Sequence, residues 1–426
     1  MNPVEEQIED VVRDLAELDR PSASEGEREA ARRIAARLEA LGADVRIEHE
    51  RVHGTYWWPI GLMAGAGALG GFAARSGRRG LGALLGLGGA VGIWDDLTGG
   101  GKWLSRHVLP QSPMDNVVAE VGDPEAPQTI VFVAHHDAAH TSFIFNPGTV
   151  PRFARAFPKL FERATRWPPV MGLVFGGPAL VALGSLLGLR RLTMAGTALS
   201  VGSAGVMGEI GSRLVVPGAN DNLTGVAVLV ALAAALRERP VEGINVLLVS
   251  NGAEESNQDG IQAFGRRHFP DLPPERTLFV SLDTVGSPEL VLIESEGFLR
   301  QFDYPDDVKE LVSGAAADAG VHLRRGLRMS FATDGLIPLR AGYPTASIGS
   351  VTEYRVPGNY HWPTDVPDNV IWESVADCVR LCESLVRRVA GQEGSSQPPA
   401  PSARRSPRSR RARMRPAPPP APRSGP

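Results

Sequence analysis

The run Thr-Ile-Val-Phe-Val-Ala-His-His-Asp, residues 129–137, decides how the rest of the chain is read. Its first six residues are apolar or β-branched in succession, the pattern of a strand buried on both faces, and such strands belong to parallel sheets covered by helices. Two imidazoles and a carboxylate stand where that strand ends. In an open α/β sheet the carboxyl ends of the strands are where ligands bind. The same grammar recurs downstream. Ile244–Ser250, Thr277–Leu282, Glu289–Glu294 and Thr345–Gly349 are short runs rich in β-branched residues, and helical stretches separate them, notably Leu223–Arg237 and Pro305–Ala319. The expected fold class is therefore α/β, a mostly parallel central sheet sandwiched by helices. Upstream, Ser22–Glu25 reads as a capping box opening a helix that ends near Leu41-Gly42, and a strand is expected over Asp44–Val52.

Polar residues gather where the expected strands end. His135 and Asp137 follow the first, Glu254-Glu255 the second, and Asp283 the third. Asp221 lies in a Gly-rich loop, Pro217–Gly225, that opens the long apolar helix, and Tyr360-His361 with Asp365 stand late in the chain. Two imidazoles and several carboxylates, with no thiolate nearby, suit Zn²⁺ or another divalent first-row ion. Four or more acids converging without a cation would repel one another and raise their pKa values. Two cations would neutralise them, and a carboxylate shared between two metals would make a two-metal hydrolytic centre. Each motif alone is weak, since a lone HxD or a Glu-Glu pair is common on solvated surfaces. Their order and their placement after strands carry the reading. His136 is expected to pack, and His140 to lie at the surface rather than ligate.

Taken together, these motifs resemble the co-catalytic zinc aminopeptidases of metallopeptidase family twenty-eight, which includes bacterial leucyl-type enzymes. The resemblance covers residues 4–52, 114–145 and 214–390. It implies two Zn²⁺ per chain, with His135, Asp221 and Asp283 on one and Asp221, Glu255 and His361 on the other. It also implies that Asp137 orients the His135 imidazole, that Glu254 is the general base, and that Asp334 lies near the site. The implied activity is removal of the N-terminal residue from a peptide substrate. A related two-zinc carboxypeptidase or deacylase, a one-zinc glutaminyl cyclase and an inactive membrane scaffold are the rival readings. The chain departs from the family in the 84 positions between Asp137 and Asp221, where about twenty are usual, and in His136, where Tyr is common.

The rest of the 426 residues explains the departure. Thr55–Ala74 and Gly80–Trp94 are uncharged, as are Trp167–Leu189 and Leu192–Gly208, with Arg75, Arg78 and Arg79 interrupting the first pair and Arg190 and Arg191 the second. Each pair reads as an apolar helical hairpin with a basic tip, and a spanning helix needs roughly 20 apolar residues. Five of the seven Trp (Trp57, Trp58, Trp94, Trp103 and Trp167) stand near the segment ends, and glycines recur at four-residue spacing, as at Gly67/Gly71 and Gly82/Gly86. A lipid bilayer is thus the expected partner of residues 55–94 and 167–208, with a soluble helical insertion as the alternative. The expected organisation is a peptidase-type domain in three pieces, 1–54, 104–152 and 213–390. Hairpins at 55–103 and 153–212 interrupt it, and a disordered Pro/Arg-rich tail follows at 391–426. The tail carries eight Arg and one Glu, so residues 1–390 hold a net −11 of the chain's −4. That acidity excludes a nucleic-acid partner. Two Cys, Cys378 and Cys382, exclude a disulfide scaffold and are expected to pack in a C-terminal helix. The N-terminus lacks the apolar stretch of a signal peptide. The expected location is therefore a multi-pass inner-membrane protein of bacterial type with its catalytic domain in the cytoplasm.

Overall fold

The computed structural model describes residues 3–163 and 170–391. Trp167 and the Arg-rich tail, both singled out above, lie outside them. A single nine-stranded sheet organises the chain: β1 (Asp44–Val52), β2 (Ser112–Gly122), β3 (Thr129–His135), β4 (Asn245–Asn251), β5 (Thr277–Leu282), β6 (Glu289–Glu296), β7 (Phe302–Asp303), β8 (Arg324–Arg328) and β9 (Thr345–Val351). Its order is β1-β2-β4-β3-β5-β9-β6-β7, with β8 also on β6. The four central strands, β4-β3-β5-β9, are parallel, as their continuous apolar runs require. The sheet as a whole is mixed, because β1, β2, β6 and β7 join through antiparallel pairings. Three of the strands, β2, β7 and β8, were not anticipated. β8 reads Arg-Arg-Gly-Leu-Arg, and β2 opens with Pro113 and carries Asp115 and Asn116, so neither shows the apolar signature.

Register places the strand ends side by side. His135 of β3 pairs with Asn251 of β4, Val133 with Ser281 of β5, and Leu282 with Ile348 of β9. One face of the sheet is covered by the buried helix Thr224–Glu238, against which Pro3–Ala16 and Trp372–Gly391 pack. Cys378 and Cys382 are buried, unpaired members of that core. The other face holds Asp259–His268, where Phe264, Phe279 and Tyr343 meet edge to face. The helix Glu25–Ala40 is capped by Ser24, whose Oγ accepts from Glu27 N–H, while the Glu27 carboxylate turns back to Ala23 N–H.

The two hairpins come together as one four-helix bundle: Trp57–Arg75, Arg79–Leu97, Val170–Leu187 and Arg190–Gly211. The second member of each hairpin is longer than its uncharged stretch, 19 and 22 residues, because the flanking Arg, Asp and Glu continue the helix. Where the helices cross, the side chains are small. A Cβ placed on Gly86 would lie 2.6 Å from the Ala182 amide, and one on Gly196 2.6 Å from that of Val181. Thr193, Thr197, Ser185 and Ser200 are buried between the helices, while Leu69, Leu84, Leu87, Val91, Leu173 and Leu186 face outward. Ile60, Met63, Ile93, Val174, Met207 and Ile210 form an apolar core toward the sheet end, but large apolar side chains turned outward in such number are unusual for a soluble helix bundle. Trp57, Trp58, Trp94 and Trp103 stand at the end nearest the sheet, and the five Arg at the other.

Candidate metal centre

Each candidate residue reaches the site from a strand end or from the loop that opens a helix. His135 is the last residue of β3, and Asp137 follows it. Glu254 and Glu255 leave β4, Asp283 leaves β5, and His361 lies in the loop beyond β9. Asp221 sits in the irregular turn Ala219–Leu223 ahead of the buried helix. The structure brings all seven to one end of the sheet.

Asp221 stands between two imidazoles. Its Oδ1 lies 3.4 Å from His135 Nε2 and its Oδ2 3.2 Å from His361 Nε2, which is also 3.1 Å from Glu255 Oε1. Donor atoms fall into groups within 4.8 Å of one another: His135, Asp221 and Asp283; Asp221, Glu255 and His361; and His135 with Glu254 and Glu255. A cleft of about 20 Å³ lies among them. His135 Nδ1 is 3.3 Å from Asp137 Oδ1, which leaves Nε2 aimed at the Asp221 carboxylate. Lone pairs meeting across such a gap need a proton or a cation between them. Asp221 Oδ2 and His361 Nδ1 are buried without a hydrogen-bond partner. Donor set, cleft and orphaned oxygen all fit divalent cations with nitrogen and oxygen ligands.

The electrostatics say the same. Burial, reinforced by Asp221, pushes Asp283 up to about 7. Burial also carries Asp334 to about 7, against the pull of His135, and Glu254 rises well above the usual carboxylate range for the same reason, with Asp334 and Glu255 adding repulsion. Burial works against His361, yet Glu255 and Asp221 carry it up to about 10. Asp221 moves the other way: contacts with His135 and His361 outweigh its burial and hold it low. Seven carboxylates (Asp137, Asp221, Glu254, Glu255, Asp283, Asp334 and Asp365) share this pocket with one arginine, Arg20. Its fully buried guanidinium donates to Pro217 O and Gly218 O, both at 2.7 Å. The cluster is short of positive charge.

Residues 203–386 match the model of peptidase family M28. Over those residues, which carry Asp221, Glu255, Asp283 and His361, the chain is similar to this family. Its fold is that of a leucine aminopeptidase precursor from Bacteroides thetaiotaomicron (14% identity, TM-score 0.53, covering 90% of this chain and 96% of that one). An aminopeptidase from Aneurinibacillus sp. strain AM-1 is similar at 14% identity and TM-score 0.51, covering 90% and 93%. A Bacteroides thetaiotaomicron glutaminyl cyclase is similar at 14% and 0.54, covering 90% and 97%. No curated protein matched by sequence. The family match and the shared fold thus support a peptidase-type hydrolase, with candidate metal ligands in place.

Around this site stand further contacts, among them Ser22, Asn220, Asn251, Lys102 and Asp96, which motif reading did not supply. Asp137 Oδ1 accepts from Glu254 N–H (3.1 Å), and Oδ2 accepts from Glu255 N–H (3.0 Å) and Ser22 Oγ–H (2.6 Å). Asp365 accepts from the Asn220 and Asp221 amides at 2.8 and 3.1 Å, fixing the turn that carries Asp221. Asp334 accepts from Asn251 Nδ2 at 2.9 Å, so it borders the cluster as the resemblance implied. Lys102 is buried, and its Nζ donates to Ser256 O at 2.8 Å and Asp259 Oδ1 at 2.6 Å. Asp96, near the end of the second bundle helix, accepts from Asn257 Nδ2 at 3.2 Å. His136 packs, with Nδ1 against Ser250 Oγ, and His140 lies tilted against Trp57 and meets Arg213 O, outside the cluster. Beside Glu254 and His361 opens an apolar cavity of about 500 Å³, walled by Phe145, Val150, Phe153, Phe331 and the bundle-root residues Tyr56 and Met171.

Proposed function

We propose that this protein is a membrane-associated aminopeptidase of the M28 type that holds two zinc ions and cleaves the N-terminal bond of peptides. The observation that carries the reading is Asp221: one buried carboxylate facing two imidazoles, each accompanied by a further carboxylate. His135, Asp221 and Asp283 would hold one ion, and Asp221, Glu255 and His361 the other. Zinc bound there supplies Lewis acidity toward the scissile carbonyl and lowers the pKa of water. The chain's own groups do the rest. Glu254 takes the proton of the attacking water at its carboxylate and returns it to the leaving amine. Asp137 fixes His135 through Nδ1 and keeps Nε2 free to ligate. Tyr360, stacked 3.9 Å from His361, and Phe145, edge-on at 4.6 Å, hold the second imidazole and keep water from that side.

The membrane part of the proposal rests on the apolar exterior of the bundle. Its helices are 18 to 22 residues long, or about 27–33 Å at 1.5 Å per residue, close to a hydrocarbon core. Val170–Leu187 is apolar enough to cross a membrane and mostly unburied, whereas the helix at Ala219–Glu238, less apolar but also long enough, is sealed inside the protein.

One experiment tests the whole reading: metal content per chain, together with turnover of free-amine peptides, N-blocked peptides and peptides beginning with Gln. Two zinc ions with cleavage confined to free amines is the expected result. One zinc with cyclisation of N-terminal Gln would make the protein a glutaminyl cyclase. Hydrolysis of N-blocked substrates would make it a deacylase or carboxypeptidase, and no metal with no turnover would leave a scaffold.

A further inference from the structure

The stretch joining β3 to the second hairpin belongs neither to the sheet nor to the bundle, and it has two unlike faces. Its inner face completes the cavity beside the cluster through Phe145, Val150 and Phe153. Outward it shows Phe143, Ile144, Phe157 and Leu160, with Phe157 and Leu160 more than half exposed. Between these apolar residues lie Arg152, Arg155 and Lys159, all exposed. Among the described residues none of the three has an acidic partner. From Ala138 to Phe161 there is no acidic residue at all, in a body that otherwise carries a strong negative charge. Two short helices, Thr149–Ala156 and Pro158–Arg163, display this mixture. Exposed aromatic and aliphatic side chains interleaved with cations are the composition of a segment that lies in a bilayer interface.

Position agrees with composition. Ser142 Oγ donates to Glu209 Oε2 at 2.5 Å, which ties the start of the segment to the sheet-side end of the last bundle helix. Met171 and Tyr56, at the roots of two bundle helices, line the same cavity as Phe153. The segment is therefore continuous with the end of the bundle where the Trp residues gather.

We propose that Ser142–Leu160 is an interfacial hood that docks on an anionic lipid surface. Phe143, Ile144, Phe157 and Leu160 enter the headgroup layer, and Arg152, Arg155 and Lys159 pair with lipid phosphates. The hood's other side roofs the metal cluster, so the apolar cavity opens at the membrane surface and takes peptide ends presented from the bilayer. This rests on the membrane reading above for the depth at which the bundle sits. It goes beyond that reading in naming a second, electrostatic contact and the substrates it selects.

The test uses the full chain in phosphatidylcholine vesicles, with and without phosphatidylglycerol, containing nitroxide-labelled lipid. Cys378 and Cys382 are buried, so a fluorophore can be placed on Leu160→Cys, on Phe143→Cys as a second hood probe, and on Glu125→Cys as a control in the exposed turn before β3. Quenching is expected at both hood positions and not at 125. It should strengthen with phosphatidylglycerol and weaken in Arg152→Glu/Arg155→Glu/Lys159→Glu. A second arm compares an acyl-anchored peptide with a short soluble one of the same N-terminus. Phe157→Ser/Leu160→Ser should lower kcat/KM for the anchored peptide about tenfold and leave the soluble one nearly unchanged, as the loss of one or two interfacial side chains implies. Quenching without any peptidase activity would support the docking and overturn the aminopeptidase reading instead. Hood probes quenched no more than position 125, or quenching indifferent to lipid charge, would overturn the hood.

Discussion

Asp137 has two tasks that a single substitution separates. One oxygen faces His135 Nδ1, and the two oxygens together receive the N–H groups of Glu254 and Glu255. A carboxylate that binds backbone donors and an imidazole at once fixes the position of the base as well as the tautomer of a ligand. Asp137→Asn keeps the shape but turns an acceptor into a donor facing N–H groups. It should lower turnover strongly and weaken metal binding about 10–100-fold, the range for a residue that supports a ligand. Asp221→Asn should do the reverse, with near-complete loss of metal, because its charge faces both halves of the cluster. Metal content by mass spectrometry, read beside kcat, separates the two; greater metal loss in Asp137→Asn would exchange their roles. Glu254→Gln should leave metal content unchanged and lower kcat by about 10²–10⁴-fold, the usual contribution of a general base. Near-normal turnover in that variant would remove Glu254 from the chemistry. Asp137 and Glu254 were legible beforehand as polar outliers just after an apolar strand, and Asp221 as the acid in a Gly-rich loop that opens the apolar helix.

The loop that carries Glu254 and Glu255 is held from outside the sheet. Ala253, Asn257 and Gln258 all have left-handed backbones, φ 51°, 65° and 63°, which non-glycine residues adopt only when surrounding contacts compel them. The contacts are supplied by the first insertion: Lys102 binds Ser256 O and Asp259, and Asp96 binds Asn257. Lys102 is 157 positions from Asp259 in sequence, and nothing in its neighbourhood distinguishes it from a solvated lysine, so it was invisible to motif reading. Lys102→Met should destabilise the protein by about 3–5 kcal/mol, because Asp259 is left buried and unpaired. Adding Asp259→Leu should restore most of the stability, measured by denaturant unfolding. If the lysine positions the base, kcat should stay depressed in the stable double variant while KM changes little. Recovery of kcat along with stability would reduce the pair to a structural brace.

At the scale of the whole molecule, a sheet readable from its strands carries a bundle whose interior only the structure reveals. The hairpins were legible as uncharged stretches, but not the exterior of large side chains or the crossing of small ones, since helix pairing is set by contacts across chain segments far apart. The structure also decides which charges count toward orientation. The tips hold Arg75, Arg78, Arg79, Arg190 and Arg191. On the sheet side, Lys102 is buried against Asp259 and Arg213 is paired with Glu209 at 2.5 Å, so neither remains a free flanking cation. Arg51, Arg106, Arg155 and Lys159 remain, and Arg152 joins them on the exposed hood. With the four crossings proposed above, the eight arginines of residues 391–426 would fall on this side as well. Cytoplasmic loops carry the excess of Lys and Arg, and an anionic inner leaflet attracts a polybasic tail. The sheet and its metal site should therefore face the cytoplasm. Ser76→Cys at the first tip and Glu125→Cys in the turn before β3 are both exposed, against a background of two buried cysteines. An impermeant maleimide applied to spheroplasts should label position 76 directly and position 125 only after the membrane is opened. Labelling of 125 but not 76 would invert the topology, and release of the protein by alkaline carbonate would overturn insertion itself.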